Sequence, residues 1–212
     1  MENTFRFRSD SQIERMITDR AFAYHRPWFY NHPYALRCEL GVGKSTRAYL
    51  HNARKRAFAI FDLLFPRLPD AIFFDYYVID YSSWVDEIDV RRTLRDMKKE
   101  LQFLSAHSDY ESTVLFDIPR DEGERETTLQ KNRIICYPGE RYPYKKRISE
   151  CFSWTNRTFH FVSFENECIM SIYDDRGCDI VFATKEKMQA FFGKLEPYLL
   201  AYDMEEMKKR IK

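Results

Sequence analysis

The sequence lacks several features that would assign it to a familiar functional class. It has five cysteines, an odd number with no C-x-x-C spacing, which argues against a disulfide framework and against a zinc cluster. No stretch of 18 apolar residues occurs, and Met1–Asp10 contains two arginines without the apolar core of a signal peptide. These absences predict a soluble, cytoplasmic protein that does not enter a membrane.

Net charge is also nearly absent. The chain has 34 Lys and Arg residues against 33 Asp and Glu residues, which gives a formal charge of +1 and no overall attraction to nucleic acid or anionic membranes. Aromatic residues are instead abundant at 17%, with 18 Phe and 14 Tyr. Tyrosine is common in cores and is also favoured at protein–protein contacts, so this surplus is compatible with a binding protein.

The order of apolar runs, helical patterns and chain breakers predicts an α+β fold. We expect an N-terminal helix and aromatic loop over residues 1–33, and a single α+β domain over residues 34–212. This domain is expected to hold a mixed, mostly antiparallel sheet packed by two or three amphipathic helices. The predicted strands are Tyr34–Leu40, Ala71–Tyr81, Thr113–Ile118, Arg133–Tyr137 and three within Phe159–Ala183. The predicted helices are Gln12–Phe22, Ser45–Phe65, one from about Ser83 to Ala106, a turn at Lys145–Phe152, Lys185–Leu195 and a terminal helix capped by Asp203.

The best-specified local structure is a hairpin near the end of the chain. Two runs of β-branched and other apolar residues, Ile169–Tyr173 and Cys178–Ala183, flank the turn sequence Asp174–Gly177. Gly177 is expected to adopt the left-handed conformation, because it has no Cβ to clash there. Asp174 is expected to accept hydrogen bonds from backbone N–H groups two residues on.

Three parts of the chain carry a family resemblance, and the hairpin is the most specific of them. Ile172–Ile180 (I-Y-D-D-R-G-C-D-I) resembles the most recognisable motif of an uncharacterised bacterial family, a domain of unknown function. The resemblance covers the chain from about Tyr34 to the end; it implies a shared fold and no particular activity. The other similar segments are Arg37–Gly41 with Tyr49, Arg56-Ala57, Ile60-Phe61 and Leu64-Phe65, and the closing Tyr198, Tyr202-Asp203 and Glu206.

A nucleotide-binding loop is present only in part, and no cysteine lies where a nucleophile is typically activated. The sequence therefore predicts no catalytic residue and no cofactor. Gly41–Thr46 (G-V-G-K-S-T) lies between a predicted strand and a predicted helix, as a nucleotide-binding loop does. A full loop needs another glycine where Cys38 stands, and the shorter segment predicts a tight turn with an exposed Lys44. No cysteine lies just before a predicted helix, where the helix dipole would activate the thiol, so the cysteines are expected to be packed.

An acidic cluster near the hairpin supports the alternative hypothesis of a metal-dependent hydrolase or nuclease. Hard cations bind carboxylate oxygens that converge on one point. Side chains of neighbouring strand residues point to opposite faces, however, and a hairpin tip directs its carboxylates at its own backbone. We therefore favour a turn-capping role and predict no metal site. The cluster comprises Glu165, Glu167, Asp174, Asp175 and Asp179, with His160 nearby.

Basic residues form two small groups that could contact phosphates. One group lies on the helix after the first strand, and Lys145–Arg147 lies beside Tyr142 and Tyr144. Phosphate contacts need such charge, and base stacking needs such aromatics. Because the net charge is near zero, solvated helix faces are the favoured interpretation, and direct nucleic-acid binding is not expected.

The favoured functional hypothesis depends on one segregated stretch. Between Pro69 and Val90 the chain has six acidic residues and no Lys or Arg, interleaved with large aromatics. If exposed, this composition suits docking onto a basic surface, because aromatics act as desolvated anchors and carboxylates steer association. The competing interpretation is a core strand whose acidic residues mark its ends and the start of the next helix.

The sequence thus predicts a non-catalytic interaction protein, specifically an immunity protein. Its expected partner is a cognate bacterial protein toxin, for instance an RNase or DNase, whose active site it would occlude. The candidate partner-binding residues are Asp75, Tyr77, Asp80, Tyr81, Trp84, Asp86, Glu87, Asp175 and Arg176.

Overall fold

The computed structural model describes residues 12–18, 27–79, 95, 98–106, 108–119, 128–152 and 159–212, and it confirms a single-domain α+β fold. Seven strands form one sheet in the order β1-β7-β6-β5-β2-β4-β3. All six neighbouring pairs are antiparallel, so the described strands contain no parallel pair of the kind that a mixed sheet would have. The strands are β1 (Ala35–Glu39), β2 (Ala71–Ile79), β3 (Ser108–Pro119), β4 (Thr128–Pro138), β5 (Phe159–Ser163), β6 (Cys168–Ile172) and β7 (Gly177–Phe182).

The helices lie on both faces of this sheet. They are α1 (Gln12–Thr18), α2 (Trp28–Asn31), α3 (Thr46–Leu64), α4 (residues 98–106), α5 (Tyr144–Glu150), α6 (Lys185–Leu195) and α7 (Met204–Ile211). Side-chain caps begin two of these helices, because Ser45 Oγ accepts from the Ala48 N–H and Thr184 Oγ1 accepts from the Lys187 N–H. Within the described ranges, no helix combines the length and apolar composition that crossing a bilayer demands.

One face of the sheet is apolar and packs against α3 and α6. A row of directly opposed residues crosses six strands on this face: Leu36, Ile180, Met170, Phe161, Ile72 and Cys136. Phe61 of α3 meets Phe161 edge-on with ring centroids 5.3 Å apart, and Phe191 of α6 stacks on Phe182 at 5.5 Å. The helical spacing of apolar residues in the sequence is therefore the spacing of the buried face of α3.

The opposite face carries a buried polar row beneath the N-terminal helices. Register places Arg37, Asp179, Ser171, His160 and Phe73 opposite one another on five adjacent strands. Each of them is buried. The two N-terminal helices α1 and α2 cover this face and shield the polar row from solvent.

A second cross-strand ion pair lies farther along the same face and corrects one prediction. Arg133 Nε and Nη2 donate to the two carboxylate oxygens of Asp75 at 2.6 and 2.9 Å, and these residues are direct register partners. Arg133 is fully buried, and its Nη1 donates to the carbonyl oxygen of Ile17 in α1. Asp75 was a candidate partner-binding residue, but its carboxylate is engaged inside the protein.

The β3–β4 ladder is longer than the sequence pattern predicts. The sequence predicts strands over Thr113–Ile118 and Arg133–Tyr137, whereas β3 begins at Ser108 and pairs with a β4 that runs from Thr128 to Pro138. The register shifts between Val114 and Phe116, which marks a bulge. Ladder hydrogen bonds join backbone groups, so they extend through polar residues that interrupt the apolar alternation.

The buried ion pair with Arg133 makes Asp75 important for the stability of the fold. Asp75→Ala leaves the Arg133 guanidinium buried without its carboxylate, and we expect a loss of about 3–5 kcal/mol in the free energy of unfolding. Urea denaturation followed by circular dichroism measures this loss. The control is Glu205→Ala, which removes the exposed Lys208–Glu205 pair and is expected to change stability by less than about 1 kcal/mol. Equally small losses in both variants would show that the buried pair contributes no more to the free energy of unfolding than the exposed pair does.

Candidate interaction site around Arg37 and Asp179

The three segments that carry the family resemblance meet at one guanidinium group. Arg37 of β1 faces Asp179 of β7, with Nε–Oδ1 and Nη2–Oδ2 distances of 2.8 and 3.3 Å. The carboxylate of Asp203, from the closing segment, lies 3.7 Å from Arg37 Nη1. Asp203 was predicted to cap the last helix, but it makes no side-chain cap hydrogen bond there. Its carboxylate instead lies next to the Arg37 guanidinium as a second negative charge.

Aromatic rings enclose the same guanidinium. The guanidinium carbon of Arg37 lies 4.9 Å from the ring centroid of Phe29, 4.6 Å from that of Tyr30 and 5.9 Å from that of Tyr173. The backbone N–H of Phe29 also donates to Asp179 Oδ2 at 3.1 Å. Burial lowers the pKa of Arg37, but the hydrogen bond and the charge of Asp179 outweigh burial, so its pKa lies above the ordinary value. Arg37 is therefore a fixed cation.

The hairpin turn confirms one predicted role and corrects another. Asp174 Oδ1 accepts from the Arg176 backbone N–H at 2.8 Å, and its Oδ2 accepts from Arg176 Nε at 2.8 Å, as expected for a turn-capping aspartate. Among the described glycines, positive φ occurs at Gly43, so Gly177 is not left-handed. Gly177 is needed for space, since a Cβ there would lie 2.7 Å from the carbonyl oxygen of Cys38.

A pocket of about 560 Å³ opens beside this turn. It is lined by Pro27, Trp28, Arg37, Ser171, Tyr173, Asp174, Arg176 and Asp179. Tyr30 and Tyr173 are 56% and 38% exposed beside it, and the Arg176 side chain is 76% exposed. The lining holds two arginines (Arg37 and Arg176) and two aspartates (Asp174 and Asp179), so its formal charges balance.

Of the predicted partner-binding residues, Arg176 lines this pocket and Asp175 lies in the same turn. Asp175 is half-buried and Arg176 is exposed on the hairpin turn. The backbone of Tyr77 lies in β2, where it opposes Lys131, and Asp75 is buried in its ion pair. The remaining predicted residues, Asp80, Tyr81, Trp84, Asp86 and Glu87, lie outside the described residues.

The acidic residues of the alternative hydrolase hypothesis do not share one point in the structure. Asp179 faces Arg37, Asp174 bonds its own turn, and Glu167 lies 3.9 Å from Lys187 Nζ. Within the described ranges, no group of three or more His, Cys, Asp or Glu side chains is arranged to hold a metal ion. His160 lies between the rings of Trp28 and Phe73, at centroid distances of 4.7 and 4.5 Å.

The five thiols are all buried, which confirms the packed role predicted for them. Burial raises the pKa of Cys151 to about 12, and a hydrogen bond with Cys38, together with burial, raises the pKa of Cys178. Cys38 and Cys178 oppose each other directly in the β1–β7 ladder. A protonated, enclosed thiol is a poor nucleophile, so these side chains serve packing.

Arg37 lies at the centre of this site, but the sequence pattern assigned it no functional role. The sequence does contain one indication of its importance. Arg37 lies between apolar residues in the strand A-L-R-C-E, and a charged residue in such a position needs a buried partner. The identity of that partner is decided by the β1–β7 register, which joins residues 142 positions apart.

The tight contact at Gly177 gives a test of the β1–β7 junction. Gly177→Ala places a methyl group against the backbone of Cys38, so we expect destabilisation of roughly 1–3 kcal/mol. The matched control is Gly193→Ala in α6, where a Cβ meets nothing within 4 Å and where alanine is expected to stabilise by about 0.5–1 kcal/mol. Thermal unfolding of both variants measures the difference. Equal shifts of the same sign would contradict the close approach at Gly177.

Comparison with known families identifies one matching family model. The family model described as "Domain of unknown function (DUF3885)" matches residues 10–203. Searches of curated proteins and of solved structures find no match. The match begins well before Tyr34, so it includes α1 and α2, the helices that cover Arg37 and Arg133. The resemblance seen in the sequence is therefore confirmed over a longer region, and the chain belongs to the DUF3885 family of domains of unknown function.

Proposed function

We propose that this protein is a non-catalytic interaction protein, an immunity protein that binds a cognate bacterial toxin and occludes its active site. The observation that carries the proposal is the surface around the Arg37–Asp179 pocket. There, two exposed tyrosines and an exposed arginine surround a concave site, and Asp175 lies on the same hairpin turn. We call this surface, formed by Tyr30, Tyr173, Asp175 and Arg176, the tyrosine surface.

The composition of the tyrosine surface suits protein recognition. Tyr and Arg are enriched among the residues that contribute most to binding energy. Tyrosine buries a large area with few rotatable bonds and can still form hydrogen bonds. Tyr30 and Tyr173 are held by their contacts with the fixed guanidinium of Arg37. Their ordering therefore costs less conformational entropy upon binding than that of a free surface side chain.

The charged groups of the pocket support binding rather than catalysis. A general acid or base needs a proton that it can exchange with substrate, and a nucleophile needs an accessible lone pair. Here Asp179 is engaged by Arg37 and by the Phe29 N–H, and Asp174 is engaged by the backbone and side chain of Arg176. These carboxylates stabilise the site itself.

The Asp175 carboxylate indicates the chemistry of the partner. It is half-buried on the hairpin turn, and such a carboxylate attracts a basic surface and accelerates association with it at low salt. The RNA- or DNA-binding cleft of a nuclease toxin is basic because it contacts phosphates. An occluding immunity protein would place its tyrosines in such a cleft and Asp175 opposite a basic side chain.

The first experiment identifies the partner by gene position. The protein encoded next to this gene is produced and purified, and its binding to this chain is measured by surface plasmon resonance together with its toxicity in cells. We expect tight binding and loss of toxicity upon co-expression. A neighbour product that neither binds nor is neutralised would overturn the proposed function.

Two variants then test the tyrosine surface. Tyr30→Ala is expected to weaken binding by about 10-fold or more through faster dissociation, because an anchor is lost. Asp175→Lys is expected to slow association and to weaken its salt dependence, because a steering charge is reversed. The matched control is Glu205→Lys on α7, an exposed charge reversal on a side chain that is 83% exposed, which should leave the kinetics unchanged.

A combined variant separates this surface from the acidic stretch identified in the sequence. Reversal of Asp80, Asp86 and Glu87 to Lys should slow association if those residues also face the toxin. Unchanged kinetics in this variant, with an effect at Asp175, would confine the interface to the tyrosine surface. Unchanged kinetics in all variants would place the interface elsewhere. Thermal stabilisation by Mg²⁺ or Mn²⁺ that disappears in Asp175→Asn would instead favour the metal-dependent hydrolase.

A further inference from the structure

The two basic groups of the sequence lie on one surface of the folded chain. One group begins in the loop before α3 and continues along that helix, and the other lies in the first turn of α5. The Lys145 ammonium nitrogen lies 5.8 Å from the centroid of the Phe58 ring in α3, and the ring centroids of Tyr144 and Phe61 are 5.9 Å apart. We call this surface the basic surface. Its members are Lys44, Arg47, Arg54, Lys55, Lys145 and Lys146.

The cations of α3 follow one side of the helix. Arg54 and Lys55 lie seven and eight residues after Arg47, which is two helical turns, so the three side chains share one face. Phe58, the residue beside Lys145, continues the same face one turn later. At 1.5 Å per residue, the row from Arg47 to Phe58 is about 16 Å long. Lys145 of α5 therefore continues a row that α3 begins.

The basic surface is open to solvent and is not neutralised by acidic neighbours. All six of its residues are exposed, and within the described ranges none of them forms an ion pair. No Asp or Glu occurs between Glu39 and Asp62, and Asp62 is the one acidic residue of α3. Arg67 lines the same pocket of about 510 Å³ as Asp62 and the two α5 lysines, so its charge offsets that carboxylate. The net charge of the chain is near zero, but this surface has a positive excess.

The shape of the basic surface selects an extended anion. Its cations lie along the outside of a helix instead of around a cavity, so a small anion would contact only one or two of them. A chain of phosphates can contact them all, and the release of condensed counterions then supplies affinity that does not depend on base sequence. One strand of a duplex has a phosphate every 3.4 Å along the axis, so about 16 Å of helix faces roughly five phosphates.

The surroundings of these cations favour a nucleic acid over a membrane or a protein. The apolar side of α3, between Ala53 and Leu64, is buried against the sheet, so the helix has no apolar face to insert among lipids. In the fully described segment from Lys44 to Lys55, no large hydrophobic residue is exposed. Protein interfaces depend on large buried anchors of that kind, whereas phosphate contacts need only charge and hydrogen-bond donors.

We propose that the basic surface binds the phosphate backbone of a nucleic acid without reading its sequence. Because α3 packs on the apolar side of the sheet, this surface and the tyrosine surface lie on opposite sides of the sheet. A nucleic acid and a protein partner can therefore be bound at the same time. The inference does not depend on the toxin partner, and every measurement that tests it is made without the toxin. A negative result here would leave the proposed function standing, and the reverse also holds.

The test measures binding of the full chain to a fluorescein-labelled DNA duplex of about 20 base pairs by fluorescence anisotropy. We expect a Kd of about 1–100 µM at physiological salt and similar values for duplexes of unrelated sequence. The logarithm of the affinity should fall linearly with the logarithm of the salt concentration, with a slope of about −4 to −5 for roughly five phosphate contacts. Absence of binding at low salt, or a slope near zero, would overturn the proposal.

A double variant on α3 shows whether the basic surface is the binding site. Arg54→Gln with Lys55→Gln is expected to weaken duplex binding by about tenfold and to reduce the magnitude of the salt slope by about 2, because two phosphate contacts are lost. The matched control, Lys208→Gln with Lys209→Gln on the exposed side of α7, removes the same charge and should change neither quantity. Equal effects of the two double variants would reduce the interaction to net charge and overturn the proposal. Melting temperatures of both variants verify that the fold is intact.

A second double variant tests whether the two basic groups act as one surface. Lys145→Gln with Lys146→Gln is expected to weaken duplex binding by a factor similar to that of the α3 variant, and unchanged binding would overturn the joined surface. Phosphatidylserine-containing vesicles and poly-L-glutamate serve as competing anions at the same salt concentration. We expect both to bind more weakly than the duplex. Tighter binding of the vesicles would replace the nucleic acid by a membrane, and tighter binding of poly-L-glutamate would replace it by an acidic protein.

Discussion

The architecture depends on two cross-strand Arg–Asp pairs buried on one face of the sheet. Arg37–Asp179 joins β1 to β7, and Arg133–Asp75 joins β4 to β2. An ionised side chain can be buried only when an opposite charge and further hydrogen bonds compensate for lost hydration. Direct opposition in the antiparallel ladders supplies the charge. The same pairs resist a one-residue register slip, since a slip would move each arginine to the other face and away from its aspartate.

The need to enclose these pairs explains the position of the N-terminal segment. Phe29 of α2 contributes a ring and a backbone N–H to the Arg37 pair, and Ile17 of α1 contributes a carbonyl oxygen to Arg133. The family match over residues 10–203 includes both helices. The N-terminal helices therefore belong to the same packed core as the sheet. They cover the sheet face that contains the two buried Arg–Asp pairs.

The two sheet faces also differ in what surrounds their pockets. On the polar face, the paired charges fix Tyr30 and Tyr173 beside a pocket whose lining charges balance. On the apolar face, α3 and α5 enclose buried aromatic rings next to the exposed side chains of Arg67, Lys145 and Lys146. Arg67 follows α3, and the two lysines lie in the first turn of α5.

The sequence by itself determined the local elements, because their signals are local. Helical spacing of apolar residues located α3, and the acidic turn located the β6–β7 hairpin. Tertiary structure decided what local pattern cannot encode: the strand order, the burial of Asp75, the long β3–β4 ladder, and the convergence of Arg37, Asp179 and Asp203. These contacts join residues far apart in the chain. Their geometry follows from strand register and from the requirement that each buried charge find its partner.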